Sequence, residues 1–258
     1  MRLIVDNLVT AQGVAIAASS AATDYPISNL QNDRRGFEWR STGVTSENIV
    51  FDMITTEPVN SVVLLWDKVG GIKISSAATI TIEANPVNVW TSPALSQAMT
   101  INEDWSVSSY YPTSDQNYRY WRIVIEDPGN AYGYVHLSNI IIGKGIDIQN
   151  ADKGFTLQNS DMSKVVTNDN GERIVVKNAL KFKQLKMNFR ILDKDDSELI
   201  AIAFERNGMT VPVYVTMDEK DLAQDKDQNA VYGYFAPKLK ISHVNYDIFR
   251  TGLVVGEI

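Results

Sequence analysis

The chain has 258 residues, 24 Lys and Arg against 31 Asp and Glu, and a formal charge of −7. Its 44% hydrophobic and 21% charged content is that of a soluble globular protein with one large domain or two ordinary ones. The absence of cysteine excludes disulfides and thiolate chemistry, and the acidic balance disfavours nucleic acid, whose phosphates require clustered Lys and Arg.

In chain order, Met1-Arg2-Leu3-Ile4-Val5-Asp6 lacks the apolar core of a signal segment, and no later run approaches the roughly 18 apolar residues of a membrane span. Tyr25-Pro26-Ile27-Ser28-Asn29-Leu30 reads as a loop that leads to Trp39-Arg40-Ser41. A strand follows through Val50-Phe51-Asp52-Met53. Residues 61–66 are β-branched and apolar, and 78–84 alternate with a period of two. Residues 119–126 set Tyr120, Arg122, Val124 and Glu126 opposite Trp121, Ile123 and Ile125. Between these strands lies a long polar connection, 85–116. After Ile140-Ile141-Ile142, the glycines of Gly143-Lys144-Gly145 mark a boundary. All five tryptophans (Trp39, Trp66, Trp90, Trp105, Trp121) precede it. Domains are therefore expected at 1–146 and 147–258.

In the second domain, residues 164–166 and 173–176 flank Asn170-Gly171, a hairpin signal because both residues accept positive φ. The lysines 177, 181, 183 and 186 suit the solvated face of a strand, and 183–192 continues as one. Asp195 as a cap, with Glu198 three residues on, predicts a packed helix with Leu199, Ile202, Ala203 and Arg206 on one face, ending at Asn207-Gly208. Residues 211–215 form a strand whose Pro212 suggests a sheet edge. The loop 218–229 has five acids in twelve residues and is expected to order only against a neighbour. Tyr232-Gly233-Tyr234-Phe235, 239–242 and 247–255 complete the strands. The fold class is mainly β: a sandwich or jelly roll, then an antiparallel domain with one packed helix.

The run from Tyr25 to Leu30, Trp39-Arg40-Ser41, Val50-Phe51-Asp52-Met53, residues 119–125 and Leu137-Ser138-Asn139-Ile140-Ile141-Ile142-Gly143 together resemble a discoidin-like (galactose-binding-like) β-sandwich. The resemblance implies that Trp39 plugs one end of the sandwich and that Asp52 hydrogen-bonds a turn. Some members hold a structural calcium near the first strands, where Asn29 and Asp33 stand here. From Gly154 onward the element order resembles phage tail-tube and distal-tail proteins. Together these resemblances imply a bacteriophage virion structural protein of the viral tail tip or baseplate, assembled in the host cytoplasm. Its partners would be copies of itself in a homo-oligomeric ring and other tail proteins. The alternative is a host-adsorption module that binds a cell-surface glycan through the N-terminal domain. A third reading is a fragment of a carbohydrate-active enzyme.

Catalysis has no visible constellation. The two histidines, His136 and His243, lie in or beside strands, and no Gly-x-Ser-x-Gly is present. Asp104, Asp115, Glu126 and Asp127 are carboxylates whose separations a sequence does not reveal. Residues 193–198 lack the sixth-position glycine of a calcium loop and suit a helix start. No enzyme activity, cofactor or metal is expected. Trp105, Tyr110, Tyr111, Tyr118, Tyr132 and Tyr134 are loop aromatics able to stack on a glycan or anchor an interface. Asp218, Asp221 and Asp225, with Tyr232 and Tyr234 on the next strand, are the candidate assembly loop and edge. Arg34 and Arg35 read as a solvated turn.

Overall fold

The structure, a computed structural model, describes residues 1–66, 74–102, 106–148, 154–161, 163–167, 169–176, 181–217 and 229–257. Among them, 2–146 form one compact unit, and Met1, 147–217 and 229–257 form another.

The first unit contains β1 (Arg2–Ile4), β2 (Ala15–Ala18), β3 (Trp39–Arg40), β4 (Glu47–Val59), β5 (Ser61–Leu65), β6 (Thr79–Asn85) and β7 (Leu95–Ala98). Then come β8 (Thr100–Asn102), β9 (Val107–Tyr110), β10 (Gln116–Glu126), β11 (His136–Leu137) and β12 (Asn139–Gly143), with β13 (Gly145–Asp147) at the junction. A five-stranded sheet, β2-β4-β10-β6-β7, faces a four-stranded one, β12-β5-β9-β8. This is a jelly-roll sandwich. The period-two pattern explains why: Ile49 and Phe51 of β4 pair with Ile123 and Trp121 of β10, so one face is wholly apolar. Those residues, with Ile82, Val62, Leu64, Ile140 and Ile142, are buried in a single core. Trp39 joins it at one end, and its indole N–H donates to the Ser20 carbonyl at 3.0 Å.

The β4–β10 register shifts between Tyr118 and Tyr120. At this bulge Ile54 takes a φ of 65°, a conformation that a β-branched residue rarely adopts.

The second unit has β14 (Phe155–Asp161), a separate hairpin of β15 (Lys164–Thr167) and β16 (Arg173–Val176), β17 (Lys181–Leu192), α1 (Lys194–Asn207), β18 (Val213–Thr216), β19 (Ala230–Phe235), β20 (Lys240–Asn245) and β21 (Ile248–Glu257). Its strands run β18-β19-β21-β17-β14, with β20 also paired to β21. Gly171, at φ 80°, closes the β15–β16 hairpin.

Three expectations are corrected here. The cap of α1 is Asp193, not Asp195: its carboxylate accepts from the Asp196 amide at 2.7 Å. The helix begins directly after β17, which leaves Asp195 and Asp196 in the first turn, where they complement the dipole. Its buried face is Ser197, Ile200, Ala203 and Asn207, while Ile202 is 51% exposed. Phe204 meets Phe235 of β19 with ring centroids 5.7 Å apart, so the sheet selects the stripe. Finally, Pro212 precedes β18, and β19 is no edge: β18 and β21 flank it, Tyr232 is buried and Tyr234 is half-buried. The glycine between those tyrosines lets strands approach closely. A Cβ built on Gly233 would land on the Gly256 carbonyl.

Candidate functional site

The loops 19–44 and 127–135 gather at the end of the sandwich where β10 finishes. The two-residue strand β3 points Trp39 into the core and Arg40 outward, as alternation requires. The Arg40 guanidinium lies over the Tyr25 ring at 3.7 Å and the Tyr134 ring at 5.1 Å. The Glu38 carboxylate accepts from Arg40 Nε at 3.2 Å and Nη2 at 3.0 Å. Tyr132, 46% exposed, stands 6.3 Å from the Tyr134 ring.

Side chains tie this end together beneath the aromatics. Ser41 Oγ accepts from the Val135 amide at 2.8 Å and donates to the Gly43 carbonyl at 2.6 Å. Buried Asp127 accepts from Ser75, through its amide at 3.0 Å and its hydroxyl at 2.5 Å, and from Asn130 Nδ2 at 2.8 Å. Asn130 Oδ1 in turn accepts from the Tyr132 amide at 3.0 Å. Glu47 accepts from the hydroxyls of Ser19 and Ser20, both at 2.6 Å. The aromatics therefore stand on a braced base.

The candidate aromatics do not share one surface. Tyr132 and Tyr134 belong to this end, whereas Tyr110, Tyr111 and Tyr118 lie at the other, where β9 finishes and β10 begins. The two sets are separated by most of the length of β10, about 25–30 Å. At that far end the Tyr118 ring packs edge-on against Trp121, and Arg2 lies over Tyr111 at 5.1 Å. Burial pushes the Tyr110 hydroxyl to a higher pKa. Trp105, Asp218, Asp221 and Asp225 lie outside the described residues. Tyr25, Glu38 and Arg40 were not among the candidate site residues. The outward position of Arg40 beside an inward Trp39 is the signal that points to it.

Other polar candidates have local partners. Asn29 Nδ2 donates to the Glu38 carbonyl at 2.8 Å, and Arg35 donates to the Trp66 carbonyl at 3.4 Å. His136 is buried in β11, and His243 stacks at 5.0 Å on Phe249. Among the described residues no three His, Asp or Glu side chains form a metal-sized group, and no described helix is long and apolar enough to cross a membrane.

Asp52 does hydrogen-bond a turn, accepting from the Ile54 amide at 2.9 Å. It also accepts two bonds from Arg119, at 2.7 and 2.8 Å. The Arg119 hydrogen bonds, reinforced by the Ile54 amide against a smaller opposing effect of burial, hold the Asp52 carboxyl down at about 2 instead of 3.8. Because the folded pKa is the lower one, this stabilisation is complete above about pH 4 and is lost as the pH falls through about 2. A carboxyl-carbon NMR titration should give an Asp52 midpoint near 2, which Arg119→Met should move toward 3.8.

No protein-family model matches the chain, and no curated protein matches significantly. Several solved carbohydrate-binding modules are similar to it. A fucose binding module from Streptococcus pneumoniae, SpX-3, is 12% identical with a TM-score of 0.44, over 54% of this chain and 98% of that one. The family 32 module of C. perfringens NanJ, solved with galactose, is 11% identical with a TM-score of 0.42, over 55% and 98%. Chitosan-binding module 1 from a Paenibacillus sp. IK-5 chitosanase/glucanase is 21% identical with a TM-score of 0.42, over 54% and 99%.

Proposed function

We propose that the protein binds a cell-surface glycan through the braced loop end carrying Tyr25, Arg40, Tyr132 and Tyr134, without catalysing a reaction on it. The observation that carries this reading is the Arg40 guanidinium, lying against the Tyr25 and Tyr134 rings and fixed by Glu38. A sugar offers hydroxyls that both donate and accept, together with C–H faces that pack on aromatic rings. The Arg40–Glu38 pair supplies donors and acceptors side by side, and Tyr132 and Tyr134 supply the faces. The pair is also charge-compensated, which suits a neutral ligand better than a phosphate. For ring assembly in a tail tip or baseplate the described residues offer less, since Tyr232 is buried and β19 is paired on both sides.

Binding to an array of bacterial surface polysaccharides and terminal-sugar glycans tests the proposal. Tyr132→Ala, at an exposed position, should weaken binding about tenfold, the loss of one good aromatic contact. Arg40→Met should weaken it at least as much. Chromatography of the incubated glycan should find no released oligosaccharide. A folded protein that binds no glycan, or variants that bind like the parent, would sink the reading. Fragments that vanish on mutation of a loop carboxylate would overturn its non-catalytic half.

A further inference from the structure

The five-stranded sheet has a second face, and its composition differs from an ordinary solvated one. In β10 the residues opposite Trp121, Ile123 and Ile125 are Tyr120, Arg122 and Val124, all half-buried. In register with them lie Asp52, Val50 and Asn48 of β4, and Asn85, Glu83 and Thr81 of β6. Ala15 and Ala17 of β2 and Ser96 and Ala98 of β7 carry the same face outward, and all four are exposed. Small residues at both margins leave the middle rows open.

Two constellations of one type occupy those rows. Arg122 donates from Nε to Glu83 at 2.6 Å, and its guanidinium lies 4.7 Å from the centre of the Trp90 ring. Trp90 stands on the loop after β6, half-buried, with its indole N–H donating to Asn88 Oδ1 at 2.8 Å. Arg119 is held by both oxygens of Asp52 and lies 5.0 Å from the centre of the Tyr120 ring. Each arginine is thus neutralised by one carboxylate and set against one aromatic. Tyr120 and Arg122 are two residues apart on one face, about 7 Å along the strand, and neighbouring strands add about 4.8 Å each. The strained φ of Ile54 lies two residues beyond Asp52, at the bulge that brings Arg119 to this face.

We infer that this sheet face is a second carbohydrate-binding surface, separate from the loop end, and that it takes an unbranched neutral polysaccharide lying across the strands. The charge pattern selects the ligand. A phosphate or sulfate would have to displace a carboxylate from each arginine, and a cation would have to displace an arginine from each carboxylate. A neutral polyol displaces neither: its hydroxyls bond the remaining N–H and carboxylate lone pairs while its ring faces pack on Trp90 and Tyr120. Two constellations in adjacent rows are suited to successive sugar units, whereas the single Arg40 constellation at the loop end is suited to one terminal sugar.

The experiment is calorimetric titration of the full chain with neutral gluco-, manno- and galacto-oligosaccharides of two to eight units, and with heparin as the anionic comparison. In the parent protein affinity should rise about tenfold or more with chain length in at least one series, because the longer chains reach both constellations. Trp90→Ala and Tyr120→Ala, each outward-facing, should bring the long-to-short affinity ratio close to one. A ratio near one in the parent, a ratio that persists in both variants, or tighter binding of heparin than of every neutral series would overturn the inference. The loop-end reading fails on different data, namely when the shortest sugars do not bind or bind equally well to Tyr132→Ala.

Discussion

Trp39→Ala is expected to lose about 3–5 kcal/mol of stability, the cost of emptying a fully buried large aromatic site. The Ser20 carbonyl, half-buried, would also lose its indole donor at 3.0 Å. The effect should be confined to the first unit. All five tryptophans belong to residues 1–146, so a urea titration followed by indole fluorescence reads that unit alone. A midpoint shift equivalent to less than about 1 kcal/mol would mean that the cavity collapses at no cost, contrary to its position between β3 and the core.

Gly233→Ala should be at least as damaging to the second unit. Where β19 runs beside β21, the added methyl has no flexible side chain to displace. It meets the backbone carbonyl of Gly256, so the two strands must separate or shift register. Overpacking of this kind costs about 1–3 kcal/mol in a core that can relax and more where backbone is the obstacle. Indole fluorescence should not register this change, whereas far-ultraviolet circular dichroism should show an earlier transition. Gly233→Ala with an unshifted dichroism transition would show that β19 does not approach β21 as closely as described.

The alternation of Trp121, Ile123 and Ile125 with Tyr120, Arg122 and Val124 was legible in the sequence because a strand's period is local and exact to the residue. The Asn170-Gly171 hairpin was legible for the same reason: its turn chemistry sits in adjacent positions. The helix was located, but its buried stripe was misjudged, because Phe235, which receives Phe204, lies across the fold and cannot be seen from periodicity. Tyr232 looked like an exposed edge for a similar reason. Aromatics around a glycine suit a surface loop as well as a close strand pair, and only the partner, Gly256, decides. At the loop end Tyr132 and Tyr134 were visible as loop aromatics. Their grouping with Tyr25, Glu38 and Arg40 joins segments about a hundred residues apart, a relation that composition and spacing do not encode. The two sheet-face constellations were half legible, since the outward position of Arg122 followed from alternation but the identity of its partner strand did not.

The braces beneath the loop end also bear on selectivity between epimers. Asn130, Asp127 and Ser41 fix the backbone under Tyr132 and Tyr134 through bonds that form when the chain folds. If this end binds a sugar as proposed, the backbone beneath the rings is already ordered, and that part of the ordering cost falls on folding and not on association. A surface that cannot rearrange cheaply also cannot follow its ligand. If a hydroxyl moves from an equatorial to an axial position, the guanidinium clamped by Glu38 stays where it is and the hydrogen bond is lost without replacement. On the proposed reading, rigidity at this end is expected to sharpen stereochemical discrimination more than it raises affinity.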